Sequence, residues 1–68
     1  MDLDGLIVEF AYGTEVRTVL VGSVWSSLDG HRLITGLDEL RNEVRSFRVD
    51  RIIGEVKVHG QTRHLPSH

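Results

Sequence analysis

The chain has 68 residues, 40% of them hydrophobic, which allows one domain and one compact core but not a core with a deep enclosed active site. The absence of cysteine excludes disulfides, thiolate metal sites and cysteine catalysis, and so small a chain without such staples is expected in a reducing cytoplasm. A formal net charge of −2 argues against a general nucleic-acid coat, and with no apolar run near the roughly 20 residues that span a bilayer and no basic segment beside Asp2 and Asp4, neither a membrane span nor a signal peptide is expected.

Leu6, Val8, Phe10 and Tyr12 alternate with Ile7, Glu9 and Ala11, the period of two that predicts a first strand. Gly13-Thr14-Glu15 supplies a turn. From Val16 to Trp25 the chain is rich in Val, Leu and Thr, and a second strand is predicted. Its apolar residues fall on both parities, Val16, Leu20 and Val24 on one and Val19, Val21 and Trp25 on the other. Such a strand is buried on both faces or bends from one sheet to another, and Gly22 stands where a bend or bulge costs least. Ser26 to Gly30 reads as a loop with an Asp-Gly tight turn, and Arg32 to Leu37 as a third strand.

The stretch Asp38 to Asn42 fits two readings. Leu37, Leu40, Val44 and Phe47 share helical spacing, and Thr35 with Asp38 resembles a capping box. Against a helix, Val44 to Val49 alternates cleanly and Asn42 suits a turn. Phe47 and Val49 share odd parity as core residues of one strand, whereas Ile52, Val56 and Val58 share even parity. A register change of one residue swaps every side chain to the other face. A kink or bulge is therefore predicted near Asp50-Arg51, followed by a last strand from about Ile52 to Val58. Residues 60–68, with Gly60 and Pro66, read as a flexible C-terminal tail. The expectation is an all-β domain over residues 1–59, a small five-stranded SH3/Sm-like β-barrel.

The candidate chemistry narrows quickly. His59, His64 and His68 fall in or near the tail, Pro66 keeps His64 and His68 off one helical face, and His31 adjoins the Asp-Gly turn. No HExxH or comparable ligand spacing is present, so no metal and no cofactor is expected. Ser26 and Ser27 are turn residues, Ser46 lies within a strand, and neither GxSxG nor GxxxxGK[ST] occurs, so no enzyme is expected. Phe10 and Phe47 have core parity. Tyr12 and Trp25 lie near strand ends, where a ring packs at the rim or offers a half-exposed face to a base or a partner.

Arginine is the sharpest feature. Seven of the eight basic residues are arginine, and Arg45, Arg48 and Arg51 lie within seven positions. The guanidinium fork matches carboxylate and phosphate bidentately. By parity Arg45 leans toward the core side at the mouth of the barrel, Arg48 faces solvent, and Arg51 sits at the kink. Arg45 and Arg51 meeting at the rim would form an anion site. The alternative is structural pairing with Asp50, Asp38 or Glu43.

The run Arg45-Ser46-Phe47-Arg48-Val49-Asp50-Arg51-Ile52 resembles the C-terminal signature of WYL domains, in which an Arg, a small hydroxyl residue, Phe, Arg, an aliphatic, Asp, Arg and Ile occur in this order. Ile7 to Tyr12 and Arg17 to Val24 look like that family's first two strands, and the resemblance spans roughly residues 5 to 59. The chain departs from the pattern at two places. The name-giving Trp-Tyr-Leu falls on Arg32-Leu33-Ile34, and the proline usual in the second strand falls near Val21. The resemblance implies an Sm-like barrel serving as a sensor, of the kind that accompanies DNA-binding domains in bacterial regulators of DNA-damage response, phage defence and CRISPR control. It implies a ligand-binding set of Arg45, Arg51 and Arg48, with Arg32 and Ser46 completing the candidates, and a nucleotide or single-stranded nucleic acid as partner. The second reading is a protein partner or a homo-oligomer formed through an open sheet edge.

Overall fold

The computed structural model describes residues 3–61, and they form one antiparallel sheet of five strands: β1 Leu6–Tyr12, β2 Glu15–Ser26, β3 Arg32–Asp38, β4 Glu43–Arg48 and β5 Ile52–Gln61. Their spatial order is β4-β3-β2-β1-β5. The fold is all-β, as the alternation requires. Among the described residues no helix is long and apolar enough to cross a membrane.

One face of the sheet carries the core, built from Val8, Phe10, Val19, Val21, Ile34 and Phe47. Leu3, Leu6, Tyr12, Val24, Ile52 and Val56 pack against it. The two parities of β2 reach this face because the strand bulges at Gly22: Val21 lies opposite Gly36, but Ser23 lies opposite Thr35 and Val24 opposite Ile34. Val19 and Val21 point inward before the bulge and Val24 after it, while Trp25 turns out and is 45% exposed.

β4 and β5 are the opposite edges of the sheet, yet a 3₁₀ turn of three residues, Val49–Arg51, joins them. So short a link forces the sheet to curl until its two edges meet at this corner. Three rings fill the corner: Phe10, Tyr12 and Phe47 pack edge-on, with centroids 5.3 Å apart for Phe10 and Phe47 and 5.1 Å for Tyr12 and Phe47. The backbone N–H of Arg48 donates to Tyr12 Oη at 3.1 Å, tying the end of β4 to the end of β1. No ladder joins β4 to β5 among the described residues, so the sheet is not closed into a complete barrel.

Several local expectations change. Val49 is 37% exposed, because the 3₁₀ turn takes it out of strand geometry before it can reach the core. Val58 is also exposed. No helix forms after Asp38; a four-residue turn closes between Asp38 and Glu43, with Asn42 at φ 57° donating its N–H to the Asp38 carbonyl at 2.7 Å. The β2–β3 connection is longer than a two-residue hairpin and is closed by Ser27 N–H donating to the His31 carbonyl at 2.8 Å. β5 runs on through Gly60 and Gln61, into the segment read as a tail. The rest of that segment, 62–68, lies outside the described residues.

Candidate functional site

The arginines fall into two groups at different places on the sheet. The first surrounds Asp38, the one charged side chain fully buried among the described residues. Arg17 and Asp38 both occupy core-facing positions, Arg17 opposite Phe10 and Asp38 opposite Val19. A charge placed there must be paired. Arg17 Nη1 donates to Asp38 Oδ2 at 2.9 Å, and the Leu40 N–H donates to Oδ1 at 3.2 Å. Arg41 Nη1 and Arg45 Nε each lie 4.0 Å from Asp38 Oδ2. Burial pushes the Asp38 carboxyl up, but the Arg17 hydrogen bond, the backbone N–H groups of Arg41 and Leu40 and the Arg17 charge more than offset it, and the pKa lies below its ordinary value. Glu15 is lowered by its hydrogen bond from Arg41, which in turn is raised by Glu15. Arg17 also stacks over the Phe47 ring, 5.6 Å from its centroid.

The second group stands at the corner between the β2–β3 loop and the 3₁₀ turn. Arg48 grips Asp50 with a bidentate fork, Nε to Oδ1 at 3.1 Å and Nη2 to Oδ2 at 2.8 Å. Nη2 also lies 3.1 Å from His31 Nδ1. A guanidinium only donates, so this contact is a hydrogen bond only when His31 Nδ1 carries no proton. The Arg48 fork lowers the Asp50 carboxyl, with the nearby His31 and Arg51 adding to the effect. The Ser27 hydroxyl donates to Asp29 and holds that carboxyl low as well.

Beside this network lie two neighbouring hollows. One, of about 180 Å³, is lined by Gly30, His31, Arg32, Val49 and Asp50. The other, of about 220 Å³, is lined by Leu3, Val24, Arg32, Ile34, Val49 and Val56. Arg32 and Val49 belong to both. Arg32 and Arg51 are exposed, and neither makes a hydrogen bond or ion pair to another described residue.

The five candidate residues are thus not one cluster. Arg45 hydrogen-bonds Glu43 at 2.9 Å on the Asp38 side, whereas Arg51 lies past the far end of β4. Arg48, expected to face solvent, is held by Asp50 and His31 with its side chain 30% exposed. Arg32 lines both hollows, whereas Arg51, which follows Asp50 in the 3₁₀ turn, lines neither. Ser46 shares a hydrogen bond with the Thr35 hydroxyl at 2.6 Å on the outer face, where Trp25 Nε1 also donates to Thr35 at 2.9 Å. Tyr12 packs at the rim. The Arg17–Asp38 pair is not among the candidates: Asp38 follows the expected third strand on the parity opposite to Leu33 and Leu37, and only the register, which turns Ile34 and Asp38 to the core, brings the two charges together. Among the described residues no three His, Cys, Asp or Glu side chains form a metal-binding group.

No protein-family model matches the chain, and neither a curated protein nor a solved structure matches it.

Proposed function

We propose that this chain is a non-catalytic, cytoplasmic binding module of the SH3/Sm-like barrel class, resembling a WYL sensor domain, and that it takes an anionic ligand bearing phosphate at the corner where Arg32, Arg48 and Arg51 stand. The barrel reading is supported by the three-residue link between opposite sheet edges. The observation that carries the function is the exposed Arg32 guanidinium on the wall of both hollows; among the described residues it and Arg51 of the 3₁₀ turn make no salt bridge, while the other described arginines all do. The Arg32 guanidinium, free beside an open hollow, is suited to phosphate oxygens, and the apolar floor of Leu3, Val24, Ile34 and Val56 offers a base or another flat group a dry surface.

The test is fluorescence anisotropy with a labelled single-stranded oligonucleotide of about 12 nucleotides, in DNA and RNA forms, with mononucleotides as competitors. Arg32→Ala and Arg51→Ala are each expected to weaken binding by about tenfold to a hundredfold, and Arg45→Ala to leave it unchanged. Binding that is absent for every probe, or that survives both substitutions, overturns the proposal.

A further inference from the structure

The outer face and the β4 edge carry a feature that ligand binding at the corner does not use. Register places Ile7 opposite Leu20, Leu20 opposite Leu37, and Leu37 opposite Val44. These four residues form one aliphatic row across β1, β2, β3 and β4, and the row ends at Val44, which is 71% exposed on the edge strand. The two edges differ in regularity. β5 is broken by register shifts on both sides of Val8–Glu9, with Gly54 and Gly60 at positive φ, which spoils it as a template for another strand. β4 pairs with β3 without a shift and contains no Pro or Lys to guard its free side.

Backbone direction along β4 follows from one bond. In an antiparallel strand the N–H and C=O of a residue point to the same side, and the side alternates along the chain. The Arg48 N–H is given to Tyr12 Oη and so points away from β3. Ser46 and Val44 therefore direct their backbone groups to the open edge.

We infer that β4 pairs with β4 of a second copy of this chain, antiparallel, about a two-fold axis at Val44. Three registers place outward-directed residues opposite one another. An axis at Arg45 puts two like charges face to face, which is destabilising. An axis at Ser46 sets Val44 against Arg48 and Arg45 against Phe47, so that each charge faces an apolar residue. The axis at Val44 sets Glu43 of each copy opposite Arg45 of the other, so the Glu43–Arg45 pair present within each chain at 2.9 Å becomes an alternating square of four charges. It also joins the two Val44 side chains, and the aliphatic row continues unbroken across the two-fold axis. Charge complementarity and the continuity of the row both select this register.

Light scattering coupled to size-exclusion chromatography, over about a hundredfold range of concentration, reads the assembly directly. The full chain is expected to move from its 7.7 kDa mass toward twice that value as concentration rises. Glu43→Arg alone and Arg45→Glu alone each place like charges across the axis and are expected to give monomers, while the double swap restores the dimer. Val44→Lys, an exposed position that folding tolerates, is expected to give a monomer and serves if a charge swap fails to fold. The amide of Val44 is expected to gain protection from hydrogen exchange only at dimer-forming concentrations. A chain that stays monomeric throughout, a dimer indifferent to the single swaps and to Val44→Lys, or a double swap that stays monomeric overturns the inference. Oligonucleotide binding by the monomeric variants reports separately on the corner site.

Discussion

Replacing Asp38 with Asn keeps the shape of the side chain and removes its charge. The Arg17 guanidinium, with its side chain 15% exposed, is left with the Glu15 carboxylate at 3.4 Å as its remaining acidic partner. Removing one partner of a buried ion pair costs about 3–5 kcal/mol. Because Glu15 stays within reach and the Asn oxygen still accepts from Arg17, the expected loss is about 2–3 kcal/mol. A 68-residue domain has about 3–10 kcal/mol in total, so the variant should unfold at clearly lower urea. The effect has a pH signature. The folded-state pKa of Asp38 lies below the ordinary 3.8, so its contribution is fully present above that value and is lost as pH falls through the folded value. The stability gap between the native chain and Asp38→Asn is therefore constant from neutral pH to about pH 5 and narrows below the ordinary value. Asp29 and Asp50 are also lowered but do not feel Asp38, so they cancel in the difference; Glu15 feels the Asp38 charge and shares Arg17 with it, so the difference reports the Asp38–Arg17–Glu15 cluster. Urea unfolding followed by Trp25 fluorescence and circular dichroism, at neutral pH and at pH near 3, measures both quantities. A variant within about 0.5 kcal/mol of the native chain at neutral pH, or a gap unchanged by acid, would refute the reasoning.

Gly36→Ala should cost about 3 kcal/mol or more in the same assay, since its Cβ would stand 2.2 Å from the Leu20 carbonyl oxygen and 2.9 Å from Val19 Cγ1, and the β2–β3 ladder must shift to admit it; a native-like unfolding midpoint would contradict that. Tyr12→Phe should cost about 1–2 kcal/mol by leaving the Arg48 N–H without its acceptor, and the Arg48 amide should exchange faster with solvent. Asp50→Asn removes the carboxylate that occupies the Arg48 fork and should tighten oligonucleotide binding a few-fold, read by anisotropy; weaker binding would place Asp50 in a supporting role. The slope of log Kd against log salt should flatten by about 0.7 in Arg51→Ala if that guanidinium contacts a phosphate of a single strand.

Much of the fold was legible in the chain because strand faces follow a local rule of alternation. The five strands, the bulge at Gly22 and the break near Asp50-Arg51 each followed from parity and from where a glycine or a register change must sit. Parity also assigned Arg45 to the core side of β4, and the structure agrees. Alternation says which way a side chain points but not what stands opposite it. The partners of the arginines are therefore decided by register between distant segments. Arg17 meets Asp38 across 21 residues, and Arg48 meets His31 across 17. Together with the Arg45–Glu43 bond they separate Arg45 from Arg51 and leave Arg32 and Arg51 without a salt bridge among the described residues. The loss of Val49 from the core has the same origin. A 3₁₀ turn has no two-residue alternation, and the need to link opposite sheet edges in three residues, a property of the whole topology, overrides the pattern of the strand before it.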